Sequence, residues 1–176
     1  MAFEQLLYRY DRQVLNIAYS FRNDTDDAKD IYQEVFIRVY KGLKNFKFKS
    51  EFSTWLFRIT TNVCISYKGK KDRHTHSSID IEVSSEEDEA RTFAEFLQSD
   101  DATEKSTENS EIRNYIDKVV ESLPTQQKMA FTLKYFEDYK IKEISEMMQC
   151  KEGTIKRYLF NATQKMREQL GKVLER

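Results

Sequence analysis

Two groups of side chains in this sequence are suited to gripping nucleic acid rather than to breaking bonds. In the first, Phe46, Phe48, Phe52, Trp55 and Phe57 alternate with Lys44, Lys47 and Lys49 around Ser50. Lysines hold phosphates by charge and aromatic faces stack on unpaired bases, so the interleaving suits a single strand. The following helix has a core stripe of Phe52, Leu56, Ile59 and Val63. Arg58, Thr61 and Asn62 project away from it, and arginine and asparagine can hydrogen-bond base edges. Lys68, Lys70, Lys71 and Arg73 add a basic run able to track a backbone. An ordinary aromatic core with solvated lysines also accounts for part of the set, though less well for the loop at Phe46–Phe48.

The second group lies in YKIKEISEMMQCKEGTIKRYLFNATQKMREQL. Ile141, Ile144, Met147 and Met148 make a short amphipathic helix, Gln149–Gly153 a tight turn, and Thr154 opens a longer helix, the spacing of a helix-turn-helix. In the longer helix Ile155, Leu159, Ala162, Met166 and Leu170 share an apolar arc, while Lys156, Arg157, Phe160, Asn161 and Gln164 share the opposite one. In a major groove Phe160 could touch a thymine methyl while Asn161 and Gln164 read adenines. A bare helical hairpin is the alternative.

A third feature is suited to a protein partner. In DDAKDIYQEVFIRVYKGL the core stripe is Ile31, Val35 and Val39, yet Tyr32, Phe36, Ile37 and Tyr40 lie outside it. The side opposite the stripe presents Gln33, Ile37 and Tyr40 flanked by Asp30 and Glu34. Aromatics mixed with carboxylates suit a docking face, and cover by another element of the chain fits the pattern equally well. No nucleophile–base pair, metal-ligand set or glycine-rich phosphate loop is visible, so neither enzyme chemistry nor a metal or other cofactor is expected.

The elements that must position these groups are helical. With 176 residues, 39% hydrophobic and 34% charged, and with one proline and four glycines, the chain reads as all-α, two small helical domains joined by a linker. Residues 1–73 form an N-terminal block of three to four helices, the first over Phe3–Phe21 with Leu7, Val14, Leu15, Ala18 and Phe21 inward. Asn23, Asp24 and Thr25 then offer a turn and a cap, and Ser50 or Ser53 a cap for the third helix. Residues 112–176 form a four-helix block with Pro124 in a first turn. The net charge of −1 conceals about +5 over 1–73, −10 over 74–111 and +4 over 112–176.

The acidic stretch 74–111 buries too little apolar surface to order itself and is expected to be a flexible linker, with room for a short helix near Glu89–Leu97. His74 and His76 sit there without further metal ligands nearby. Cys64 and Cys150 are expected as reduced thiols. No stretch is apolar enough to span a membrane, and the N-terminus lacks a signal-peptide core, so a cytoplasmic protein is expected.

The stretch DDAKDIYQEVFIRVYKGLKNFKFKSEFSTWLFRITTNV resembles the core of extracytoplasmic-function (ECF) sigma factors of bacterial RNA polymerase. The stretch SLPTQQKMAFTLKYFEDYKIKEISEMMQCKEGTIKRYLFNATQKM resembles their final domain, and the order is the family's. The resemblance implies that residues 1–73 are sigma domain 2 and 112–176 sigma domain 4. It implies that Asp30, Gln33, Glu34, Phe36 and Tyr40 dock on core RNA polymerase. Phe46, Lys47, Phe48, Lys49, Ser50, Phe52 and Trp55, with Arg58 and Asn62, would recognise and melt the minus-ten element of promoter DNA. Thr154, Lys156, Arg157, Phe160, Asn161 and Gln164 would read the minus-thirty-five element as duplex. It further implies an anti-sigma partner and a linker that threads a basic polymerase channel.

Two departures from the family pattern are visible. Where it carries a serine–arginine pair and then R-A-R, this chain has Arg157-Tyr158 and Asn161-Ala162-Thr163, which implies fewer phosphate anchors and an A/T-rich upstream element. The main rival is a helix-turn-helix transcriptional regulator that never joins polymerase. It leaves Asp30–Tyr40 and the lysine–phenylalanine loop without a purpose. A protein-only adaptor would bind neither promoter DNA nor melted DNA at low salt.

Overall fold

Helices form where apolar spacing and local caps agree. Helix α1 (Ala2–Arg22) turns Val14, Leu15, Ile17, Ala18 and Phe21 inward, all buried. It stops at Asn23, which takes a left-handed backbone with φ 51°. Asp24 then caps α2 (Thr25–Leu43), its side chain accepting from the Asp27 N–H at 2.9 Å, the arrangement that satisfies a helix's first free donors. Ile31, Val35 and Val39 on α2 are fully buried. The α1–α2 corner is fixed by a charge pair, in which Arg22 Nε and Nη2 donate to Asp27 Oδ2 at 3.0 and 2.8 Å. Asp27 is only 7% exposed, so that guanidinium offsets much of its desolvation.

Helix α3 (Phe52–Ser66) departs from the reading above in two ways. Glu51 occupies its N-cap without a side-chain bond, so neither Ser50 nor Ser53 caps it. A carboxylate at that end still suits the helix dipole. The buried face is also wider than the expected stripe: Leu56, Phe57, Thr60, Thr61, Val63 and Cys64 are buried, whereas Phe52 and Ile59 are half-exposed. The reason is tertiary, because α3 has neighbours on two sides. Thr60 tolerates full burial by donating to the Leu56 carbonyl at 3.0 Å.

This computed structural model describes residues 2–67 and 107–174, and all regular structure among them is helical. Helix α4 (Thr107–Glu121) starts about one turn before the expected Ile112. Pro124 stands at the N-cap of α5 (Thr125–Phe131), one residue before the expected first-turn position. The chain continues as a π-helical segment (Thr132–Phe136), then α6 (Ile141–Met147) and α7 (Glu152–Leu174). Val119, Val120, Leu123, Phe131, Ala162 and Met166 form one core, and Met129, Leu133, Ile144 and Ile155 are fully buried.

The chain divides into one unit built from Met1–Tyr67 with Tyr115–Arg176 and another covering Lys68–Asn114. Within the first, the N-terminal helices pack directly on the C-terminal ones. Phe57 meets the Tyr139 ring at a centroid distance of 6.0 Å, and Lys128 Nζ lies 4.7 Å from the Phe21 ring centre. Most of the acidic stretch lies outside the described residues, with the helix near Glu89–Leu97, His74, His76 and the run Lys68–Arg73.

Candidate nucleic-acid and protein interfaces

The lysine–phenylalanine loop links α2 to α3 and gathers its aromatics into one cluster. Phe46 lies 4.9 Å from Trp55, 4.8 Å from Phe48 and 5.9 Å from Phe52, measured between ring centres. Edge-on and tilted pairs at these distances are mutually attractive. Phe46, Phe52 and Trp55 are half-buried, while Phe48 is 86% exposed. Phe48 also takes a left-handed backbone with φ 53°, a strained state for a bulky side chain and one that tends to mark functional positions. Lys44, Lys47 and Lys49 are exposed around it and Ser50 is half-buried. The structure therefore brings Phe46, Phe48, Phe52 and Trp55 together as a platform with a lysine rim.

Two contributors to that platform were missed in the sequence. Tyr10 of α1 packs against Phe52 at 5.7 Å; its spacing from Leu7 and Val14 puts it on the inner face of α1, which was the available signal. Gly42 lets the Trp55 ring approach closely, and nothing in the local pattern reveals that.

Arg58 and Thr61 go elsewhere. Arg58 Nε donates to the Glu146 carbonyl at 2.9 Å, and Thr61 Oγ1 donates to the Met147 carbonyl at 2.8 Å. Thr61 is fully buried, which corrects the expectation that it projects into solvent. A threonine at a packed seam can bury its methyl while its hydroxyl answers a free carbonyl, here at the end of α6. Asn62, next along α3, is exposed.

On α2, Gln33, Ile37 and Tyr40 are exposed, with Ile37 at 48% and Tyr40 at 67%. Tyr32, Gln33, Phe36, Ile37, Tyr40 and Lys41 line a shallow depression of about 380 Å³. Its floor is held by Tyr32, whose hydroxyl donates to Asp11 at 2.6 Å and whose ring meets Phe36 at 4.7 Å. Burial, with Asp11 beside it, pushes the Tyr32 phenol well above its ordinary range. Glu34 pairs with Arg38 at 2.6 Å on the same side. Asp30 differs from its neighbours in this set: it is half-buried and accepts from the Tyr67 hydroxyl at 2.7 Å.

The helix-turn-helix forms as read, with α7 opening at Glu152, two residues before Thr154. Gln149 turns the chain with φ 52°, and Lys140 N–H donates to Glu143 at 2.7 Å at the start of α6. Ile155, Leu159, Ala162 and Met166 are buried, and the side chain of Leu170 lies outside the described set. Lys156, Arg157, Phe160 and Asn161 are exposed, with Phe160 at 62%, while Thr154 and Gln164 are half-buried. A phenylalanine kept in water between basic and amide side chains suits a groove-facing surface.

No group of three or more His, Cys, Asp or Glu able to hold a metal ion is gathered among the described residues. No helix among them is long and apolar enough to cross a membrane.

Residues 6–74 match the Sigma-70 region 2 family and residues 113–166 match Sigma-70, region 4. The chain is 30% identical over 174 residues to the RNA polymerase sigma-H factor of Pseudomonas aeruginosa, covering 99% of this chain and 86% of the relative. It is 31% identical over 161 residues to the ECF RNA polymerase sigma-E factor of Escherichia coli, covering 92% and 82%. Among solved structures, the sigma factor RpoE of Bartonella quintana, in complex with the anti-sigma factor NepR, aligns with a TM-score of 0.65 at 20% identity, covering 97% of both chains. CnrH in complex with the cytosolic domain of CnrY aligns with a TM-score of 0.57 at 19% identity, covering 99% of this chain and 88% of that one.

Proposed function

The chain belongs to the ECF family of RNA polymerase sigma factors, and from that premise we propose how its residues divide the work of promoter recognition. As such a factor it binds core RNA polymerase and directs promoter-specific initiation, reading the minus-thirty-five element and melting the minus-ten element. Sigma factors are non-catalytic initiation factors. On this reading the chain needs no catalytic group or cofactor, because the polymerase performs phosphoryl transfer.

The α2 face is the polymerase-docking surface, with Gln33, Glu34, Phe36 and Tyr40 in contact and Asp30 holding the helix through Tyr67. The platform of Phe46, Phe48, Phe52 and Trp55 stacks on unpaired bases, Lys47 and Lys49 hold the strand's phosphates beside Ser50, Asn62 reaches a base edge, and Arg58 joins it once its Nε leaves the Glu146 carbonyl. Flipping a base costs on the order of a few kcal/mol, which such stacking can offset. Thr154, Lys156, Arg157, Phe160, Asn161 and Gln164 read the upstream duplex. Residues 1–73 and 112–176 act as sigma domains 2 and 4, with 74–111 as an acidic linker suited to a basic channel. The site of action is the cytoplasm, where an anti-sigma protein would cover both DNA-binding blocks.

The observation that carries this reading is the exposed apolar face of α2 immediately before the aromatic, lysine-rimmed loop. A helix-turn-helix regulator that never joins polymerase needs neither. The test maps transcription start sites after induced expression, then reconstitutes transcription on a mapped promoter with sigma-free core enzyme. Promoter-specific transcripts are expected. Operator binding without transcripts would favour the regulator.

A further inference from the structure

We infer that Asp11 of α1 is a positioning residue for polymerase docking, tying down Tyr32 so that one end of the α2 groove stays open, an inference that rests on the α2 face being the docking surface. Tyr32, Phe36 and Tyr40 follow one another at four-residue steps, and so do Gln33, Ile37 and Lys41. Side chains so spaced form parallel ridges along a helix, with a groove between them that can seat a ridge of a partner. These residues line the depression of about 380 Å³ on α2.

The two ends of the first ridge differ. Tyr40 is 67% exposed, whereas Tyr32 is half-buried and its hydroxyl donates to Asp11 Oδ1 at 2.6 Å. A short bond to a carboxylate is charge-assisted and stronger than one between neutral groups. Burial and the Asp11 charge both keep the phenol protonated, and so donating. Held this way, the Tyr32 ring supports Phe36 at 4.7 Å between ring centres. A partly buried tyrosine hydroxyl needs a partner. With Asp11 removed that partner is water, and a ring turning outward to meet it enters the groove.

Helix packing does not require this bond. Val14, Ile17 and Ala18 on α1 and Ile31, Val35 and Val39 on α2 are already fully buried, and Arg22 pairs with Asp27 at the corner. Tyr32→Phe would fill the same space with no polar group to satisfy. The Asp11–Tyr32 pair lies instead at the rim of the docking face. Fixing a side chain there in advance spares the cost of ordering it on binding.

The test titrates the factor against a fixed amount of core enzyme on the mapped promoter. It records the half-saturating concentration and the plateau of promoter-specific transcripts. Asp11→Ala and Tyr32→Phe should each raise the half-saturating concentration roughly two- to tenfold, with the plateau and the melting temperature nearly unchanged. The double variant should be no worse than the weaker single one, because both substitutions remove the same bond. Asp11→Asn keeps an acceptor oxygen and should stay within about twofold of the unaltered chain.

An unchanged half-saturating concentration in both single variants would overturn the inference. So would losses that multiply in the double variant, or a lowered plateau alone, since either makes the pair an ordinary packing contact. Should Asp11→Ala not fold, Tyr32→Phe decides alone. Tyr40→Ala tests the face itself. If it too leaves half-saturation unchanged, the docking reading falls; if Tyr40→Ala alone raises it, only the role of Asp11 falls.

Discussion

The Trp55 ring stands so close to Gly42 that a Cβ built on Gly42 would meet Trp55 Cζ2 at 3.0 Å. This contact seats the first turn of α3 against the last turn of α2 and backs the Phe46 ring with an indole. Gly42→Val is expected to destabilise the chain by about 1–3 kcal/mol through overpacking. Gly42→Ala should be milder, because alanine's helix preference of ~1 kcal/mol acts the other way. Urea unfolding followed by the fluorescence of Trp55, the chain's one tryptophan, measures both. An unchanged midpoint for the valine variant would contradict the packing described.

Phe48 combines strong exposure with a left-handed backbone. Phe48→Gly removes a strain of about 1–2 kcal/mol while adding ~0.5–1 kcal/mol of chain entropy. Stability should therefore hold or rise slightly. Binding of a forked DNA to the core-associated factor should weaken by about 1–3 kcal/mol if one stacked base is lost. A melting curve and a fork-binding titration read the two effects separately. A loss of stability with unchanged binding would make Phe48 a packing residue.

Burial pushes the Glu137 carboxyl above its ordinary value, partly opposed by the Ser20 hydroxyl. The folded chain therefore holds this proton more tightly than the unfolded chain does. Its contribution is fully present below the ordinary carboxylate value of 4.5 and fades as pH rises through the raised one. Glu137→Gln, neutral at every pH, should melt at a higher temperature than the unaltered chain near pH 7, with the gap narrowing towards pH 4.5. Melting temperatures of both chains from pH 4.5 to 8 check the sign, and a gap that widens on acidification would refute it.

Asn161 and Lys156 share the exposed arc of α7 but are expected to fail differently. Asn161→Ala should cost about 1–3 kcal/mol on the matched upstream element and little on a scrambled one. Lys156→Ala should weaken both alike and lower the salt slope of binding by about 1. Titrations at several salt concentrations against both DNAs distinguish base reading from phosphate holding, and equal losses on both for Asn161→Ala would remove it from base recognition.

The two cysteines should differ in reactivity. Burial pushes the Cys64 thiol up to about 12, and the thiolate is the reactive form. Cys150 is partly exposed at the helix-turn-helix turn. A thiol-counting assay at pH 8 should find one reactive group in the folded chain and two in denaturant, and the Cys150→Ser variant none until unfolded.

Much of the local structure was legible because local physics fixes it. Apolar spacing marked α1, the α2 stripe Ile31–Val35–Val39 and the two-sided α7, and Asp24 announced the cap it provides. The exposed apolar faces were legible for the same reason: a periodic pattern reports both what is buried and what is left over. Errors lay at ends and at second faces. Ser50 and Ser53 both carry capping side chains, yet Glu51 sits at the junction, because the loop's aromatic packing sets where α3 begins.

The sequence alone determined an all-α chain with nucleic-acid and protein-docking chemistry in a particular order, since residue type and 3.6-residue periodicity are properties of the chain itself. Tertiary structure decided which of those side chains share a surface. It joined Tyr10 and Gly42 to the aromatic platform, tied Asp30 to Tyr67, and drew Arg58 and Thr61 onto the carbonyls of α6. Residues far apart in sequence meet only when whole helices pack, and no local pattern encodes which free carbonyl a distant donor will find.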